Sequence, residues 1–83
     1  MADENYKKTY VDVFLLHSRD TGKIPRLIIM ADGTRYEIDR MLERRRAASS
    51  KVGGTGMRYT IRIGASQTFL FEDEMGWYVE EKA

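Results

Sequence analysis

Ile38–Ser49 reads IDRMLERRRAAS, and the fold class turns on whether this stretch is helix or strand. Its residues are strong helix formers, and Asp39 has the chemistry to cap a helix from Arg40 to about Ala48. The apolar positions Met41, Leu42, Ala47 and Ala48 give only a thin helical stripe, however, with Arg45 where a core residue belongs. As a strand continuing from Tyr36, the set Tyr36, Ile38, Arg40, Leu42 alternates with Arg35, Glu37, Asp39, Met41, though not cleanly. The strand reading is preferred and makes the chain all-β. The alternative, a helix at residues 39–49, makes it α+β.

The flanking sequence favours strands. Tyr6–Leu16 (YKKTYVDVFLL) is aromatic and β-branched, with a turn at HSRDTGK after it. Pro25 opens the next apolar run, at a strand start where a missing N–H costs least. Asp32-Gly33, between LIIMA and TRYEI, predicts a two-residue type I′ hairpin. MRYTIRI alternates, with Tyr59, Ile61 and Ile63 on one face and Arg58, Thr60 and Arg62 on the other. Short loops at Gly64-Ala65-Ser66 and at DEMG precede QTFLFE and WYVEE. Turn signals at roughly ten-residue spacing predict a single antiparallel β-barrel of five or six strands, SH3-like in size. The expected organisation is a disordered N-terminus over residues 1–5 and one β domain over residues 6–81.

A chain of 83 residues supports one core. It has no cysteine, which removes disulfides, thiolate metal sites and thiol chemistry. MADENYKK lacks the basic-then-apolar pattern of a secretory signal, and the apolar runs VFLL and LIIMA fall far short of the roughly 20 residues of a membrane helix. A cytoplasmic protein with no membrane partner is expected. The net charge of +1 hides a split: residues 17–62 carry +6 and residues 63–83 carry −4. One basic face and one acidic edge follow, each fit to meet a partner of opposite sign or a second copy.

The tract RRAASSKVGGTGMRYTIRI followed by FLFEDEMGWYVEE resembles a group of short, uncharacterised bacterial proteins. They carry a Gly-Gly-x-Gly turn before an Arg-Tyr strand and end in Trp-aromatic-Val. The likeness spans about residues 10 to 80 of this chain. It implies a compact β domain of bacterial origin, and it brings no known activity and no catalytic residues.

Arg40, Arg44, Arg45, Arg46, Lys51, Arg58 and Arg62 are the candidate binding residues. In a strand, Arg44 and Arg46 point one way and Arg45 the other, while Arg58 and Arg62 share one face; were the two strands neighbours, their charges would merge. Such a surface with stacked aromatics binds single-stranded nucleic acid. The plainer reading is a solvated face paired with Glu37, Glu43 or the C-terminal acids. The glycines of GGTG, Gly53–Gly56, lack the Gly-Lys-Ser/Thr ending of a phosphate loop and fit a turn needing positive φ. His17 has no partners at metal-ligand spacing, and Ser49 and Ser50 begin no nucleophile motif. Phe69 and Phe71 share one face, as do Trp77 and Val79, as core or as a groove wall. With no catalytic constellation, cofactor or metal in view, a non-catalytic binding module is expected. Its partner is a protein or a second copy, or alternatively RNA or single-stranded DNA on the arginine-rich face.

Overall fold

The computed structural model describes residues 5–48 and 55–83. They form seven strands: β1 (Tyr6–Ser18), β2 (Gly22–Ile29), β3 (Arg35–Glu37), β4 (Arg40–Ala48), β5 (Thr55–Ile63), β6 (Ser66–Asp73) and β7 (Gly76–Lys82). All pairings are antiparallel, in the order β3-β2-β1-β7-β6-β5-β4, and the sheet curls into a half-barrel. The chain is therefore all-β, and the stretch at 40–48 is a strand, not the alternative helix. The expected five or six strands are corrected to seven. The extended run from Arg35 breaks at Ile38-Asp39, so one anticipated strand becomes two that sit on opposite edges of the sheet.

That break is where the ends of the sheet meet. The Ile38 N–H donates to the Arg26 carbonyl on β2 at 2.9 Å, and the next amide, Asp39, donates to the Arg62 carbonyl on β5 at 2.9 Å. Two successive amides thus serve two different strands. Asp39 also accepts the Gly64 N–H at 2.6 Å through Oδ2, fixing the corner against the β5–β6 turn. The termini meet as well, since β1 pairs with β7 from Tyr6↔Lys82 to Val11↔Trp77. The Ala83 N–H reaches the Asn5 carbonyl. The expected disordered stretch falls, at residues 1–4, outside the described residues.

Two bulges bend the sheet. Phe14 faces Leu27 but Leu15 faces Pro25, so Arg26 is an extra residue on β2. Pro25 is thus inside its strand rather than at its start, fully buried beside an irregularity that tolerates its missing donor. On β4, Met41 faces Ile61 but Glu43 faces Thr60, leaving Leu42 as the extra residue. That insertion is why the alternation of the segment looked imperfect.

The hairpins follow turn chemistry. Gly64, at φ 59°, is the first of two loop residues between Ile63 and Ser66. At Asp32-Gly33 the hairpin exists, but its loop has three residues. Met30 N–H donates to Thr34 O, Gly33 N–H donates to Met30 O, and only Gly33 has positive φ, 90°. This is a type I turn closed by a glycine bulge, and the expected type I′ turn is corrected because Asp32 does not take positive φ. Its carboxylate accepts the Thr34 N–H instead.

The concave face holds Ile28, Ile38, Tyr59, Ile61 and Leu70, packed by Val11, Val13, Met41, Trp77 and Val79 among others. Phe71 and Tyr78 are buried too, but on the opposite face of the sheet, since they alternate with Leu70 and Trp77. A two-sided sheet in so short a chain is what positions the site described below.

Gly56 has no positive φ; a Cβ there would collide with the backbone carbonyl of Glu72. The need is for space, not for turning, which corrects the reading of this glycine; Gly53 and Gly54 lie outside the described residues. Around Gly33 there is open room, so its requirement is φ alone. Gly56→Ala is therefore expected to lose about 1–3 kcal/mol in urea unfolding, and Gly56→Asn to fare no better. Asn at position 33 should recover most of the roughly 1–2 kcal/mol that Ala loses there, and equal behaviour of the two sites would contradict this assignment.

Candidate nucleic-acid interface

The register of β4 against β5 divides the arginine tract. Arg44 stands opposite Tyr59 and Arg46 opposite Met57, on the side of the core; Arg45 stands opposite Arg58 and Arg40 opposite Arg62, on the other side. Of the seven candidate residues, four meet on the convex face, two do not, and Lys51 lies outside the described residues. The separation follows from strand alternation with one extra residue at Leu42.

On the convex face one cross-strand row runs through five strands: Tyr10↔Tyr78↔Phe71↔Arg58↔Arg45. The Phe71 and Tyr78 rings stack at 5.1 Å with 10° between planes, and Tyr10 tilts against Tyr78 at 5.5 Å. The Lys8 ammonium lies 4.8 Å above the Tyr78 ring, and the Arg58 guanidinium 4.6 Å above Phe69. Lys8 thus covers the buried Tyr78 ring, and Arg58 the partly exposed Phe69 ring. Tyr10 and Phe69 remain about two-fifths exposed.

Among the described residues Arg40, Arg45 and Arg62 have no ion-pair partner on this face. Arg58 has Glu43 at 3.8 Å, and its Nε is buried without a partner among the described residues. Arg45 faces Arg58 directly and Arg40 faces Arg62 directly, an arrangement that opposes folding because like charges repel across a strand pair. At the other end Asp73 accepts from the Tyr10 hydroxyl at 2.9 Å and from Lys8 at 3.3 Å. It also caps the β6–β7 turn through the Met75 and Gly76 amides. Burial alone would raise the Asp73 carboxyl, yet the donors from Tyr10, Met75 and Lys8 together hold it below its ordinary 3.8. The same bond to Asp73 raises the Tyr10 phenol.

Arg44 has a different task. Its guanidinium donates to the Lys23 carbonyl at 3.0 Å, reaching from β4 to the start of β2. Lys23 in turn holds Glu72 at 2.8 Å, and the other oxygen of Glu72 accepts the Tyr59 hydroxyl at 3.1 Å. Burial, and then the Glu72 carboxylate, push the Tyr59 phenol up to about 12. This network closes the mouth of the half-barrel between strands that share no ladder. Arg44 therefore sits apart from the four convex arginines, on the core side of β4.

Lys8, Tyr10 and Phe69 belong to the face but not to the set read from the sequence. Strand alternation could have placed Phe69, but Lys8 and Tyr10 join it only through a pairing between the two ends of the chain. Among the described residues no three of His, Cys, Asp and Glu group as metal ligands. The chain matches no protein-family model, no curated protein and no solved structure.

Two outcomes are expected. Arg44→Ala should lower the unfolding free energy by about 1 kcal/mol, a charged hydrogen bond discounted for its exposure, while Arg45→Ala leaves it unchanged or raises it; urea titration decides. Because the folded carboxyl of Asp73 lies below 3.8, its stabilisation is complete above that pH and is lost as pH falls through it. The Asp73→Asn variant should therefore be less stable than the native chain at about pH 6 and converge with it toward about pH 2; parallel pH profiles would exclude this role.

Proposed function

We propose that this chain is a non-catalytic binding module whose convex face, built from Arg40, Arg45, Arg58, Arg62, Tyr10 and Phe69, takes single-stranded nucleic acid. The observation that carries the reading is the pair of directly opposed arginine pairs, Arg40/Arg62 and Arg45/Arg58, on one face with Glu43 as their one ion-pair partner among the described residues. Repulsion of this kind works against folding and is relieved when a polyanion spans the charges. Four residues separate Arg58 from Arg62, about 13 Å along a strand, room for more than one phosphate. The exposed rings of Tyr10 and Phe69 offer stacking surfaces that suit any base.

The same chemistry supports a non-catalytic role. Guanidinium groups do not release protons near neutrality, the Tyr10 phenol is raised and the Asp73 carboxyl lowered, so none of these groups is poised for acid–base work at pH 7. Interaction with a protein is the second reading, favoured by a separate apolar surface on β1 and β2 where Phe14 and Leu16 are more than half exposed.

Fluorescence anisotropy of a labelled oligouridine or oligothymidine against salt tests the first reading. Four phosphates neutralised at about 0.7 each give a log–log slope of about −3. The Arg40→Ala/Arg62→Ala variant should lower that slope by about 1.4, and Arg44→Ala should leave it unchanged. Binding that is absent at low salt, or insensitive to salt, would refute the proposal.

A further inference from the structure

The convex side of β1, β2 and β3 carries a second surface with different chemistry. Three cross-strand rows define it: Asp12↔Ile29↔Arg35, Phe14↔Leu27↔Glu37 and Leu16↔Ile24. Phe14 is 57% and Leu16 51% exposed, and Ile24, Leu27 and Ile29 are half-buried beside them. Val13, Ile28 and Tyr36 occupy the opposite side of the same strands, so the core does not account for these five apolar residues. A flat apolar sheet face left to water is a docking surface or an aggregation hazard.

The charges at its margins say what covers it. Asp12 on β1 and Arg35 on β3 end the same row with Ile29 between them, both exposed, and neither has an ion-pair partner among the described residues. A half-turn about an axis lying in the face and running along β2 exchanges the β1 and β3 margins. It lays Asp12 of one copy over Arg35 of the other, twice, while Ile24, Leu27 and Ile29 meet their own counterparts. Phe14 then rests on the methylene stem of Glu37, whose carboxylate turns out at the open edge of β3. The patch is complementary to itself in charge and in apolarity, which is what a two-fold interface requires.

We infer that this face is a self-association surface and that its occupant is a second copy of the chain, packed sheet on sheet about that axis. Three strands at about 4.8 Å and six residues at about 3.3 Å give a footprint of roughly 300 Å², well under the roughly 800 Å² per partner of a stable complex. The dimer therefore dissociates on dilution. Pairing leaves the arginine face of β4 and β5 free, so this inference stands independently of nucleic-acid binding.

Sedimentation equilibrium of the full chain from about 10 µM to about 1 mM tests it. The expected result is a mass rising from 9.7 kDa toward twice that value. Phe14→Lys should weaken association at least about tenfold, and its exposed position leaves the far-ultraviolet circular dichroism unchanged. Asp12→Arg or Arg35→Asp alone should weaken it about fivefold, and the two together should restore it. A monomer at every concentration overturns the proposal and leaves the face to a different partner. Association indifferent to Phe14→Lys, or a charge swap that fails to rescue, overturns it equally.

Discussion

Two consecutive amides hold this fold in its shape. Ile38 donates to β2 and Asp39 to β5, strands that lie on opposite flanks of the sheet, so two successive peptide groups carry the chain from one edge to the other. Ile38 is buried at this point in the same cluster as Ile28 and Ile61. Without that corner β3 and β4 would be two exposed edges of a flat antiparallel sheet, each a template for unwanted pairing. With it, the sheet must curl, and the curl gathers Ile28, Tyr59, Ile61 and Leu70 into one core. The Arg44 to Lys23 bond then spans the part of the seam that no ladder closes.

The curl also sorts the arginines. Alternation alone would have sent Arg40, Leu42 and Arg44 to one face and Met41 and Arg45 to the other. The extra residue at Leu42 reverses the parity beyond it, so that Met41 and Arg44 both face inward while Arg40 and Arg45 face outward. Alternation divides the run of like charges between the two faces, and the bulge decides that Arg44 is the inner clamp while Arg40 and Arg45 stand outside.

Local chemistry in the sequence was enough for the all-β class, though not for the count of seven strands. Tyr59, Ile61 and Ile63 alternate with Arg58, Thr60 and Arg62, and the register of β5 obeys that pattern, although Thr60 is buried on its own face as well. Gly64 and Gly33 mark real turns for the reason their type suggests, although Asp32 declines the left-handed conformation and lengthens its loop. What was illegible depends on distant pairing. Neither the Leu42 bulge nor the Arg26 bulge has a local signature, the corner at Ile38-Asp39 looks like one continuing strand, and the row joining Tyr10 to Phe71 needs β1 to find β7 across the chain. Arg44 and Arg45 are adjacent and chemically identical, and only the neighbouring strands give them opposite duties. Of the seven candidate residues, Arg40, Arg45, Arg58 and Arg62 share one face, Arg44 and Arg46 lie on the other, and Lys51 is outside the described residues.

The convex aromatic row is packed beneath the side chains that form the outer surface of the sheet. Phe71 and Tyr78 are as inaccessible as the core residues, with Phe69 against Phe71, Lys8 and Tyr10 against Tyr78, and Arg58 over Phe69. Removing Arg58 uncovers aromatic surface and deletes a charge at once, so a loss of affinity in that variant would carry no clear meaning. Arg40, Arg45 and Arg62 are different, because they are exposed and cover no ring. Rings and stems build a second small core on this face, and the outermost guanidinium groups stand on it as exposed charge. A second core on the outer surface also explains how so short a chain tolerates opposed arginines, since the stacked rings beneath supply the cohesion that the charges subtract.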